Sequence, residues 1–336
     1  MKNQFFISAI AAAKQSQEAF AAEFNKDGAN ANAKEWIHWS SGTEVGTTLI
    51  HRLLIEISDT DLPSILATLV KHHGNLEVRE LGVGETPLAT AARYHKQRAI
   101  NFLIEHKAEI NDPKSPPLYE VMQYDYDESL TIDIVKILLQ HGANINLGRY
   151  GVSPLVHATD ERLPETIQFL ISRGANLFTK RSVTFEGVHT AVSIAYKNKI
   201  TLGDAIKEDR PFTMRTKKCL EILIRAIKDF LYHQSKSFSG DHENLEAYLT
   251  KYIDELSGDF FNCDKSNSAK LKELLIQDTL LPVLTQIKAE KKHRQTAMLE
   301  FGTRLHSGKV RLWSFDMRVN IQSREDEIRI NNVYRP

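Results

Sequence analysis

The sequence predicts an all-α fold: an α-solenoid of helix-turn-helix repeats with hairpin loops between them, followed by a helical C-terminal subdomain and a short β-hairpin or extended tail. Two recurrences carry this prediction. One start appears four times, as GTTLIH (46–51), GETPLA (84–89), KSPPLY (114–119) and GVSPLV (151–156). One stop also appears four times, as LVKHHGNLEV, LIEHKAEIND, LLQHGANINL and LISRGANLFT. Self-similarity at a fixed period of about 33 residues marks stacked repeats, because one such unit cannot bury its apolar face alone.

Each mark has a physical reason. A Thr or Ser hydroxyl accepts the orphan N–H groups of a first helical turn. Proline suits the next position, where its missing donor costs nothing. Gly142 and Gly174 follow apolar helix ends, where a left-handed residue closes the last turn. Gly74 and Lys107 align with them. A left-handed lysine carries a penalty of about 1 kcal/mol. The units fall near 46–78, 84–111, 114–146 and 151–180. A fifth, weaker start at VHTAVSIA (188–195) and a second helix in KCLEILIRAI extend the array to 232.

The pattern resembles the ankyrin repeat family. Thr-Pro-Leu at 86–88, Ser-Pro-Leu at 153–155 and Gly-Ala-Asn at 142–144 and 174–176 match its motif. Its histidine survives only as His51, with Ala89, Tyr119 and Val156 in its place elsewhere. The resemblance implies a protein-binding scaffold without a cofactor, holding its partner on hairpin tips and on the concave face of the first helices. Carried onto this chain, it marks Arg79, Asp112, Arg149, Tyr150, Lys180 and Arg181 at tips, and Arg93, Tyr94, Tyr124 and His157 on the concave face. Tyrosine and arginine dominate desolvated hot spots, so Tyr94, Tyr124, Arg149 and Tyr150 stand out.

Helix spacing adds a second periodicity. Start to stop takes 20 residues in repeats two and four but 25 in repeats one and three. The longer loops hold Asp59 and Asp61, then Asp125, Asp127 and Glu128, and in the fifth unit Asp204, Glu208 and Asp209. Stacked, they would form an acidic ridge or simply solvated loop ends.

Outside the array, residues 1–45 read as an N-terminal helical cap. Phe6, Ile10, Ala13, Phe20 and Phe24 continue a helical stripe past Lys14, where a signal peptide would have ended. Residues 240–301 read as a helical subdomain closing the solenoid, from the stripe Leu245, Leu249, Ile253 and Leu256 onward. Residues 302–336 alternate in strand fashion.

Composition narrows the function classes. Apolar residues make up 42% and charged residues 26% of 336, and 43 basic residues balance 43 acidic ones. That balance points to neither nucleic acid nor an anionic membrane, and no apolar run reaches the roughly 20 residues of a membrane span. A monomeric, cytoplasmic protein is expected. A protein secreted into a host cell is the alternative, from the resemblance of such degenerate arrays to bacterial effectors. The segment from Gln286 to Pro336 carries eleven Lys/Arg against six Asp/Glu, concentrated in KAEKKHR (288–294), which suits an acidic partner or phosphates or a solvated helix face.

Catalytic and metal motifs are missing from the sequence. The pair His72-His73 sits at a helix end, where histidine suits the last carbonyls and the dipole. His106 and His141 occupy equivalent ends. Cys263 beside Asp264 is the one candidate thiol nucleophile, and it supports the competing reading of a small catalytic region in 240–336 whose substrate the repeats select.

Overall fold

A computed structural model of the chain describes residues 4–38, 44–123, 127–183, 187–202, 211–239, 242–257, 265–306, 319–320 and 329–330. It divides into a compact unit of residues 1–281 and a second of residues 282–336. The division lies beyond residue 240, where the sequence suggested a separate subdomain.

In the first unit the helices form two layers. One contains α1 (Gln4–Ala13), α3 (Leu49–Glu56), α5 (Pro87–Arg93), α7 (Pro117–Glu120), α9 (Pro154–Asp160) and α11 (Ala191–Leu202). The other contains α2 (Gln17–Glu23), α4 (Leu62–Lys71), α6 (Gln97–Glu105), α8 (Glu128–Gln140), α10 (Pro164–Ser172) and α12 (Pro211–Ser237). Within the layers α3 packs on α5, α5 on α7, α7 on α9 and α9 on α11; and α4 on α6, α8 on α10 and α10 on α12. The pair α1–α2 stacks in phase, α1 on α3 and α2 on α4. Phe6, Ile10, Ala13, Phe20 and Phe24 are among its buried residues.

The starts and stops work as local chemistry requires. Thr86 and Ser153 accept the backbone N–H of Ala89 and Val156, both at 3.3 Å. Thr190 opens α11 in the same way, with Ser193 donating from its N–H and accepting from Thr190 in return. The fifth start is therefore a helix cap. Each stop is a Schellman turn, in which the residue after the left-handed one bonds back to a buried leucine carbonyl. Gly74, Ala108, Ala143 and Ala175 reach Leu69, Leu103, Leu138 and Leu170 at 2.7–3.0 Å.

One stop differs from the sequence expectation. In repeat one the left-handed residue is His73 (φ 58°), not Gly74. A Cβ on Gly74 would lie 2.9 Å from the Leu69 carbonyl oxygen, so close approach explains this glycine. The other three stops are Lys107 (φ 68°), Gly142 and Gly174 (both φ 88°), as expected.

A ladder of side chains ties the finger loops together. Asn32 accepts from Asn75 N–H, Glu77 from Glu109, Asn111 from Asn144 and Asn146 from Asn176, at 2.7–2.9 Å. Between those rungs Asn75, Glu109, Asn144 and Asn176 each accept from the N–H two residues onward. Two fingers are antiparallel ribbons, β1 (Lys34–His38) with β2 (Glu44–Thr48), and β3 (Lys180–Val183) with β4 (Gly187–Thr190).

The long loops of repeats one and three also act across repeats. Asp59 accepts from Arg98 and Ala99 at the start of α6, at 2.9–3.2 Å. Glu128 accepts from Thr166 at the start of α10 at 2.7 Å. Neither α6 nor α10 has a cap hydrogen bond from its own N-cap side chain. Two of the ridge carboxylates are thus helix caps in trans. Asp127 caps its own α8, and Asp125, Asp204, Glu208 and Asp209 lie outside the described residues.

Beyond the repeats, α12 packs on α13 (His242–Ser257), which in turn packs on α14 (Lys265–Leu275). A half-buried aromatic seam runs from Phe178 through Phe230 and Tyr252 to Tyr248 and Phe238, with ring centroids 4.8–5.5 Å apart. A π-helical turn, Ile276–Leu280, ends this unit. The second unit holds α15 (Leu281–His306) and a minimal antiparallel pair, β5 (Val319–Asn320) with β6 (Arg329–Ile330).

Candidate functional site

Finger four shows how the site is assembled. Arg149 and Val152 bridge across a two-residue turn whose centre is Tyr150 (φ 54°) and Gly151 (φ 75°). Two positive φ angles make it a type I′ hairpin, for which Asn-Gly is the favoured sequence. Gly148 precedes it because a Cβ there would lie 1.7 Å from the Val152 carbonyl oxygen. Tyrosine in the left-handed region is an energetic penalty, and here the residue is also 79% exposed.

Arg149, expected at the tip, folds inward and is 4% exposed. Its Nη1 meets Glu120 Oε1 at 2.5 Å and Glu85 Oε1 at 3.3 Å, and its Nη2 donates to the Val83 carbonyl at 2.6 Å. Arg93, from the end of α5, pairs through Nη2 with Glu85 and, at 2.7 Å, with Glu120. Thr90 Oγ1 donates to the far Glu85 oxygen at 3.4 Å. Both glutamates are essentially buried, so these charges are viable only because two guanidiniums oppose two carboxylates. The guanidinium of Arg149 lies 4.8 Å from the Tyr150 ring centre, a cation–π contact that fixes the exposed ring.

The first-helix layer continues this strip. His157 stacks on Tyr119 with centroids 4.2 Å apart and planes 12° from parallel. Burial pushes the imidazole down to about 4, with Arg181 adding in the same direction and Asp160 opposing, so the ring is neutral at pH 7. Burial and the neighbouring Glu120 push the Tyr119 hydroxyl up. Arg181 Nη1 pairs with Asp160 Oδ2 at 2.9 Å.

The remaining sequence candidates separate. Arg79 pairs with buried Asp112 and donates to the Gly84 carbonyl at 3.0 Å, while Asp112 also holds the Lys114 N–H at 2.9 Å. Lys180 lies 3.7 Å from Glu255 across exposed surface. Tyr94 is the half-exposed C-cap of α5, and Tyr124 is outside the described residues. Arg93, Arg149 and His157 are therefore brought into one strip, with Arg181 at its end. Against the expectation of exposed contacts, Arg149, Asp112 and His157 are buried and Arg93 is half-buried, with the side chains of Arg149, Arg93 and Asp112 paired within the array and His157 stacked on Tyr119.

The sequence reading missed Glu85. It precedes the helix-capping Thr86, where the other repeats have Thr47, Ser115, Val152 and His189. A carboxylate in that series was the available signal. His51 makes the motif contact, Thr48 Oγ1 to Nδ1 at 2.6 Å, and its Nε2 meets the Glu85 carbonyl at 3.1 Å. Burial also pushes this imidazole down to about 4.

His72 stacks on Phe24 and His106 on Phe102, at 4.6 and 4.0 Å. Among the described residues no group of three His, Cys, Asp or Glu could hold a metal, and none of their helices is long and apolar enough to cross a membrane. Cys219 is buried, and desolvation pushes its thiol up to about 12. Cys263 lies outside the described residues.

Comparison with known proteins adds a partial likeness. No family model matches the chain. It is 30% identical over 137 residues to the mouse B-cell lymphoma 3 protein homolog, covering 39% of this chain and 29% of that protein. It is 37% identical over 67 residues to the rice probable E3 ubiquitin-protein ligase XBOS34, covering 19% and 12%. The chain thus spans less than a third of either relative. The human ASB11 ankyrin repeat domain superposes with a TM-score of 0.46 at 14% identity, over 67% of this chain and 84% of that one. In its capped Thr-Pro and Ser-Pro starts, its left-handed stops and the hairpin fingers between them, the chain is similar to the ankyrin repeat family.

Proposed function

We propose that the chain is a protein-binding scaffold that anchors its partner on the tip of finger four, with the Arg93–Arg181 strip as the support behind it. One observation carries the reading. Tyr150 occupies a backbone position that favours Asn or Gly, yet it exposes 79% of its surface over a buried arginine. A large aromatic kept exposed at a conformational penalty is the signature of a preorganised contact. Leu81 and Val83, on the finger that Arg149 also reaches, are 37% and 49% exposed and extend the apolar surface.

Tyr150→Asn separates binding from folding. Asn-Gly suits a type I′ turn, so the variant should melt no lower than wild type. Loss of an aromatic hot spot removes at least about 2 kcal/mol of binding, or roughly 30-fold. Affinity capture from cell lysates, with the two proteins compared side by side, is the measurement. An identical captured set at identical yield from Tyr150→Asn would count against the assignment.

A further inference from the structure

The basic segment KAEKKHR lies on α15 of the second unit and takes no part in the finger site. At 100° per residue, Lys288, Lys291, Lys292, Gln295, Met298 and Leu299 fall within an arc of about 120°. Glu290 falls on the opposite side of the same helix. All six side chains in the arc are exposed, Met298 and Leu299 at 71% each. Residues 282–336 hold eleven basic and six acidic residues, so the other 281, with 32 and 37, are acidic in balance. The neutral total therefore conceals a positive second unit and a negative first one.

We infer that this face of α15 is a docking surface for an anionic phospholipid bilayer. Three lysines in one arc match the negative surface potential of such a leaflet, and their long stems let the ammonium groups stay at headgroup level. Met298 and Leu299, one to two turns further along the same face, are sized to enter the headgroup–acyl boundary. A phosphate backbone would use the lysines but would leave two exposed apolar side chains in water, which favours lipid over nucleic acid. This assignment and that of Tyr150 do not depend on each other.

The test is co-sedimentation of the full chain with vesicles of phosphatidylcholine alone or with about one-third phosphatidylserine. Retention on the serine-containing vesicles alone, weakening as salt rises, is expected. Lys288→Gln/Lys291→Gln/Lys292→Gln should lower the partition coefficient on the order of 100-fold. Met298→Gln/Leu299→Gln should lower it by about tenfold or more, with the lysines intact. These positions are solvent-exposed, and circular dichroism checks that the variants stay folded. No retention, a triple variant equal to wild type, indifference to the Met298 and Leu299 changes, or equal affinity for duplex DNA would each overturn the inference.

Discussion

Replacing Arg149 with methionine tests the buried charge cluster directly. Methionine keeps an unbranched apolar stem but removes the guanidinium. Glu85 and Glu120, 1% and 0% exposed in their side chains, would then share Arg93 alone, and the cluster would pass from neutral to net negative. Removing one partner of a buried pair costs about 3–5 kcal/mol, and burial this deep leaves no water to screen the loss. Arg93 still contacts both carboxylates, which places Arg149→Met near the lower end, about 3 kcal/mol. The lost bond to the Val83 carbonyl adds about 1 kcal/mol. For a unit of this size the sum corresponds to a melting temperature lower by roughly 10 °C. Adding Glu120→Gln restores neutrality, so the double variant should recover part of the loss and show a coupling of about 1–2 kcal/mol. Urea unfolding followed by circular dichroism gives the energies. Hydrogen exchange at α5 and α7 shows whether the loss is local, because a repeat array can unfold in parts. A single variant within about 1 kcal/mol of wild type, with no coupling to Glu120→Gln, would refute the cluster as a stabilising element.

Three further outcomes follow from the same structure. His51 and His157 have imidazoles near 4 in the folded chain against about 6.5 unfolded, so protons bind preferentially to the unfolded state between those values. Stability is full above pH 6.5 and falls as pH drops toward 4, by about 2 kcal/mol per histidine at pH 5; a denaturation profile in which His157→Gln leaves that slope unchanged would exclude His157 as a source. Lys107→Gly should raise stability by about 1 kcal/mol, since glycine adopts φ 68° without strain; a lower melting temperature would contradict this. Asp59→Ala should cost about 1 kcal/mol and speed hydrogen exchange at Arg98 and Ala99; exchange unaltered at those two amides would mean that Asp59 does not cap α6.

What the sequence made legible was local. Thr86, Ser153, Gly142 and Gly174 act through bonds to residues within a turn, and their side chains or conformational freedom announce those bonds. The Tyr150 tip was legible for the same reason, as Tyr-Gly between two repeat marks. Arg149 was not. Its inward turn depends on Glu85, 64 positions earlier, and Glu120, 29 earlier, and no local pattern states that these will converge. The displaced stop of repeat one is a subtler case. A glycine stood one place from the left-handed residue, and only the packing against Leu69 distinguishes the two roles. The long-loop carboxylates were visible as an acidic series, but their partners belong to the next repeat.

Those loops have a consequence for how such a chain can grow or shrink. Repeat one supplies the cap that α6 of repeat two lacks, and repeat three does the same for α10 of repeat four. Donor and recipient repeats alternate. Excising one repeat would set two donors or two recipients side by side, leaving a helix start bare or a carboxylate idle. Excising two adjacent repeats would preserve the alternation, so the smallest unit by which this array can be lengthened or shortened intact is the pair.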